Sequence, residues 1–392
     1  MRFRHRHTLC ALLCTLRLPE VLSYAPVTDD ALLRIPQPIP SDFDIYTGTL
    51  LAPILIPRVP GSSGSATALT HFVEFFHSLP SEWTMSLQNS TSATPLPGNK
   101  VFPFTNLIAS RAPPWSKPGS VGYLTLVAHY DSKISPEGFI GATDSAAPCA
   151  MILHAVRAID EALTKKWSAV QIEGVDDLDD HYHGIQVLLL DGEEAFVSWT
   201  ESDSVYGARS LAEEWDTDYY PAMSTYKTKL ESIELFILLD LLGAEAPSIP
   251  SYFKTTHWAY QNMAKLEKRL RDLNQFRSPK AATWLTDGDR DAHDATAKFQ
   301  SYWMQDDHIP FMARGVEVLH LIPMRFPSVW HKIEDDGEHL DIPTVEDWAM
   351  LTAAFAAEWL ELDGFFDGPA RPVGRSTPEK RHQDAVVSKT EL

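Results

Sequence analysis

Four short runs rich in apolar and strand-forming residues constrain this chain most: Tyr123–His129, Ile185–Leu190, Leu235–Leu239 and Val316–Ile322. The second, IQVLLL, has the apolar continuity of a strand buried on both faces of a sheet. Between the first two lies SAAPCAMILHAVRAIDEALTKK. There Ala150, Ile152, Leu153, Val156 and Ile159 keep near-helical spacing, with Lys165 and Lys166 at the favourable carboxyl end. Further helices are expected around Thr256–Asp272 and Val345–Leu362. Strands alternating with helices predict an α/β fold: one domain with a mostly parallel central sheet covered by helices on both faces. The segments Glu173–His183 and Pro279–Lys298 are polar and acidic and read as surface insertions. No internal repeat or linker divides the body, which is placed at residues 40–366.

The remaining length is assigned by composition. Residues 1–25 begin with a basic stretch, continue through the apolar run Thr8–Leu16 and end near Ser23 and Ala25, as a secretory signal peptide does. That run is too short to span a bilayer. Residues 367–392 are polar and Pro-rich, read as a disordered tail, and end in KTEL, similar to a Lys-Asp-Glu-Leu retrieval signal. These features predict a secreted chain or one retained in the endoplasmic reticulum or Golgi. The sequon Asn89-Ser90-Thr91, expected in a polar loop, would then be open to glycosylation. Cys149 is the one cysteine outside the presumed signal, so it is expected to be a free, buried thiol. A net charge of −20 argues against nucleic-acid partners, which need clustered Lys and Arg. The chain is expected to be a monomer without a membrane span.

The strand-like runs share one peculiarity: acids and histidines follow them. The first runs into HYDSK and GATDSAAPC, with His129, Asp131 and Asp144. The second gives Asp191, Glu193 and Glu194 in DGEEAF, the third Asp240 in LLDLLGA. A loop reads QDDHIPF, with Gln305, Asp306, Asp307 and His308, and the fourth run leads to His331 in FPSVWHKIEDD. Each has an ordinary explanation when taken alone: Asp-Gly is turn chemistry, Asp144 an N-cap, His331 a surface imidazole. Taken together they should meet in one crevice, because ligands of open α/β sheets bind beyond the carboxyl ends of the strands. So many facing carboxylates require a cation, and Asp, Glu and His are the ligand types of a catalytic zinc site.

The motifs HYDSK, GATDSAAPCAM, DGEEAF, LLDLLGA, QDDHIPF and HLIPMRFPSVWH resemble, in this order, the glutaminyl-peptide cyclotransferases, of the zinc-aminopeptidase-like fold clan. The resemblance covers most of the body, from about GSSGSATALTHF onward. It implies one Zn2+ per chain held by Asp144, Glu194 and His331, a general acid/base at Glu193 supported by Asp240 and Asp306, and a pocket lined by Trp199, Gln305, Phe326 and Trp330. The implied reaction closes an N-terminal Gln of a peptide to pyroglutamate with release of ammonia. One departure is plain. Family members are expected to pair the cysteine matching Cys149 with one just before the His-Tyr-Asp motif, and here that position is Ala128. The alternative is a zinc aminopeptidase of the same fold, whose second metal would use positions such as His129 and Asp240. A catalytically dead binding protein is a third reading, but no ligand has been lost.

Overall fold

A computed structural model describes residues 26–173, 182–279, 283–294, 296–299 and 304–371. Six strands form one sheet: β1 Thr84–Ala93, β2 Val101–Arg111, β3 Gly122–His129, β4 His183–Leu190, β5 Ile233–Leu239 and β6 Val318–Leu321. Their spatial order is β1-β2-β4-β3-β5-β6. The pairs β4/β3, β3/β5 and β5/β6 are parallel, as expected, whereas β1/β2 and β2/β4 are antiparallel. The sheet is therefore mixed, a parallel half extended by a hairpin.

The parallel half is sealed on both faces, and the period-2 geometry of strands sorts its side chains. Leu124, Leu126, Ile185, Val187, Leu235 and Ile237 face one core, while Val127, Leu188, Leu190, Phe236 and Leu238 face the other. The first core is covered by α1 Ser63–Ser78, α2 Ala147–Glu173, α4 His257–Asp272 and α6 Ile342–Trp359. The second is covered by α3 Tyr206–Thr217 and the short α5 His308–Met312. On α4 the apolar stripe is Ala259, Tyr260, Met263, Leu266 and Leu270, the spacing of a helix with one buried face. Asp341 caps α6 by accepting from Thr344 N. No helix among the described residues is long and apolar enough to cross a membrane.

Several expectations are corrected. The body starts before residue 40, since Val27, Ala31, Leu32 and Ile35 are buried in the main core. It also reaches past residue 366: Arg371 N donates to Leu33 O at 3.0 Å. Pro279–Lys298 is not wholly superficial. Trp284 and Leu285 are buried, with Trp284 stacked on Trp348 at 5.0 Å and both backbone N–H groups donating to Glu267. The sequon lies on strand β1, not in a loop. Most of the segment between Glu173 and His183, residues 1–25 and nearly all of the tail lie outside the described residues. Cys149 is free and fully buried, as expected, and its thiol donates to His129 O at 3.2 Å.

Candidate active site

The turn after β4 separates its three carboxylates. Gly192 allows that turn, because its φ is +75° and a Cβ there would come within 2.3 Å of Phe104. Asp191 turns toward the hairpin, where it accepts from Thr105 N at 2.9 Å, while its own N–H donates to Asn106 Oδ1 at 2.9 Å. Asp131, at the end of β3, accepts from Glu193 N at 3.0 Å and Glu194 N at 3.2 Å. This clamp presents Glu193 and Glu194 to a cavity of about 560 Å³.

Asp144 and His331 meet Glu194 there. Asp144 sits in the bend Ala142–Ala146 that leads into α2. Asp335 fixes that bend by accepting from Thr143 N and Oγ1 at 2.8 and 2.9 Å. Behind it, the fully buried Arg58 donates to the carbonyls of Tyr130 at 2.6 Å and Ile140 at 2.8 Å. His331 adopts a left-handed φ of 57°, a strained backbone for a residue with a side chain, and its ring stacks on Trp330 at 3.9 Å. Its Nε2 lies 3.4 Å from Asp144 Oδ2 and 3.5 Å from Glu194 Oε2. Asp144 Oδ2 and Glu194 Oε1 are buried without a hydrogen-bond partner. Two carboxylates and an imidazole, with ligand atoms within 4.8 Å of one another and two orphaned oxygens, suit a divalent metal. Lys133, not anticipated from sequence, places Nζ 3.2 Å from Glu194 Oε2.

A second set lies behind. The buried His129 ring is surrounded by carboxylates: Nε2 is 3.1 Å from Asp144 Oδ1 and 3.3 Å from Asp240 Oδ1, and Nδ1 is 3.3 Å from Asp131 Oδ1. His129, Asp144 and Asp240 thus also form a compact trio. Asp240 Oδ1 is already engaged, accepting from Ser145 Oγ and from Leu241 N at 2.8 Å. Asp306 departs from expectation. It is buried and accepts from His320 Nε2 at 2.7 Å, and it lines a neighbouring cavity, not the one that Glu193 and Asp240 line. Asp307 and His308 are buried away from the main cavity, with the His308 ring 4.5 Å from that of His320.

The four expected pocket residues do line the main cavity. Trp199 Nε1 donates to Gln305 Oε1 at 2.9 Å, making a partition between the two cavities, and Phe326 packs at 4.7 Å from Trp330. Burial drives the Glu193 carboxyl well above its ordinary range; His129 opposes this, and Glu194, Asp306 and Asp240 reinforce it. Its side chain forms no hydrogen bond or ion pair with another described residue. Burial likewise raises Glu194, with Asp144 adding to the effect. For His331, burial works downward but Asp144 and Glu194 outweigh it, raising the imidazole to about 9.

Carboxylates and an imidazole converging at the carboxyl edge of a largely parallel sheet, around a pocket walled by aromatics, define a metal-dependent enzyme. The Peptidase family M28 model matches residues 106–356. A mouse (Mus musculus) glutaminyl-peptide cyclotransferase-like protein is 39% identical over 320 residues, 80% of this chain and 75% of that protein. The glutaminyl-peptide cyclotransferase of the snake Boiga irregularis is 36% identical over 318 residues, 80% of each chain. The crystal structure of Macrostomum lignano glutaminyl cyclase superposes with a TM-score of 0.70 at 28% identity, covering 87% of this chain and 96% of that one. The chain belongs to the glutaminyl-peptide cyclotransferase family, within the M28 peptidase fold.

Proposed function

We infer that this chain is a zinc-dependent glutaminyl-peptide cyclotransferase, acting on peptides that begin with Gln. The observation that carries the reading is the division of labour between adjacent residues: Glu194 joins the Asp144–His331 trio, whereas Glu193 stands free in the same cavity with its carboxyl raised by burial.

Asp144, Glu194 and His331 are the residues that would hold the zinc ion. When bound, it would polarise the side-chain amide carbonyl of the substrate as a Lewis acid. Glu193 takes a proton from the α-ammonium, which is largely protonated at neutral pH and not nucleophilic until it loses that proton. The freed amine attacks the amide carbon, forming the C–N bond of a five-membered ring. The old C–N bond then breaks as Glu193 returns its proton to the departing NH2 group, which leaves as ammonia, and the ring nitrogen gives up its second proton to solvent. Phe326 and Trp330 hold the aliphatic part of the side chain and exclude water, and enforced proximity supplies much of the acceleration. Asp240 and Asp306 act on Glu193 through their charges, favouring its protonated form.

We extend the reading to the secretory pathway, supported by the basic and apolar composition of residues 1–25. The aminopeptidase alternative would require a second metal on His129 and Asp240. Metal analysis of purified protein should give close to one zinc per chain, and Gln-initiated peptides should release ammonia without losing a residue. Two zinc ions per chain, with free amino acids liberated from varied peptides, would overturn the assignment.

A further inference from the structure

Strand β1 is the outer strand of the sheet, and it lacks the protections such strands usually carry. Its sequence TMSLQNSTSA has no charged residue and no proline. It pairs with β2 over ten consecutive residues without a register shift, so no bulge twists it away. No strand among the described residues pairs with its outer side. A long, uncharged, regular edge is a template for pairing with another chain. Hydrophobic surface accompanies it: Leu87 is 47% exposed, and Val101, on the partner strand, is 60% exposed.

The sequon Asn89-Ser90-Thr91 falls in the middle of this strand. Gln88 turns inward and donates to Ser210 Oγ on α3 at 3.0 Å, so Leu87, Asn89 and Thr91 share the opposite, exposed face. Asn89 Oδ1 accepts from Thr105 Oγ1 at 2.9 Å, which leaves the amide nitrogen without a hydrogen bond to any described residue. That nitrogen is the atom to which an N-linked glycan is joined.

We propose that Asn89 is an N-glycosylation site and that its glycan shields the β1 edge and Leu87 from strand pairing with other chains. The proposal rests on the secretory reading given above. In the transfer, the Asn89 amide nitrogen bonds to the anomeric carbon of a lipid-linked diphosphate oligosaccharide and loses a proton. The sugar–phosphate bond breaks and the lipid diphosphate leaves. A bulky, solvated group in the middle of the strand blocks approach along the edge, the task that a lysine, a proline or a bulge performs on other edge strands.

The test uses the full chain expressed in eukaryotic cells with its own N-terminus. Peptide mapping after enzymatic glycan removal should find Asn89 converted to Asp. Asn89→Gln and Thr91→Ala should abolish the modification, and Thr91→Ser should keep it. At raised concentration, Asn89→Gln should form several-fold more aggregate by light scattering, and adding Leu87→Lys should restore the monomer. Unmodified Asn89 in chain that has entered the lumen overturns the site. Glycosylated wild type with an equally monomeric Asn89→Gln variant overturns the shielding role. A chain that never enters the lumen overturns the secretory reading and this proposal with it, whatever its activity on Gln peptides.

Discussion

The two ends of the sheet follow opposite plans. Strands β3 to β6 run parallel between helices on both faces, and their central residues are fully buried. In the β1–β2 hairpin, β2 runs antiparallel to this half and β1 antiparallel to β2, and along β1 exposed or partly exposed positions outnumber buried ones. Every proposed ligand, the general acid/base Glu193 and the pocket aromatics project from the parallel half or the loops leaving it. The hairpin supplies none of them. Rigid strands sealed on both sides can hold charged groups at their ends within a few tenths of an ångström, which a half-exposed ribbon cannot do. The hairpin touches the turn behind this machinery through the clasp of Asp191 with Thr105 and Asn106, through the Tyr130 hydroxyl, which donates to Thr105 O at 2.8 Å, and through Phe104 beside Gly192.

The contrast is sharpest in catalysis. Glu193→Gln keeps the size and position of the side chain but cannot carry the proton. Turnover should fall about 10²- to 10⁴-fold with metal content unchanged, since Glu193 is outside the ligand trio. Near wild-type turnover would dismiss its role, and loss of metal would mean that it is a ligand. A core substitution probes the same half by stability. Leu188, fully buried in β4, should lose about 2–5 kcal/mol on replacement by Ala, read from the urea midpoint at constant slope.

Asp191 tests the clasp between the halves and should have a smaller effect. In Asp191→Ala the Thr105 N–H loses its acceptor, while the backbone N–H of residue 191 still donates to Asn106, a loss of about 1–3 kcal/mol. The fall in turnover should be much smaller than for Glu193→Gln, because Asp131, not Asp191, holds the backbone of Glu193 and Glu194. A collapse of activity as deep as that of Glu193→Gln would show that the hairpin is part of the catalytic scaffold.

The same contrast explains what could be read from residues alone. The parallel strands were legible because burial on both faces leaves an apolar run that no solvent-facing element shares, and α2 because its stripe is long. The site was legible because carboxylates after successive strands have no structural purpose in common. The hairpin was not: TMSLQNSTSA has no apolar period, and its strand character comes from pairing with β2, itself set by β4. Arg58 gave no signal, since a lone arginine in a loop carries no hint that it will satisfy the carbonyls of the chain around Asp144. Gln305 and Asp306 are neighbours in sequence, yet Asp306 faces the adjoining cavity, and only the path of the backbone decides that. Trp284 was missed because its acidic surroundings read as surface, whereas Glu267 and Trp348 draw it inside.

The smallest effect belongs to the hairpin itself. Leu87 is apolar like Leu188, but it already stands in water on both sides of the folding equilibrium to a large extent. Leu87→Ala should shift stability by no more than about 0.5 kcal/mol, against the several expected at Leu188. The same method on both variants makes the comparison direct, and differences between two mutants are more trustworthy than absolute burial sums. If Leu87→Ala lost as much as Leu188→Ala, Leu87 would have to be covered in solution, either by another chain pairing along β1 or by the glycan proposed for Asn89. Repeating the measurement on unglycosylated protein at two concentrations tells these apart: pairing between chains makes the loss grow with concentration, whereas glycan cover makes it vanish with the glycan.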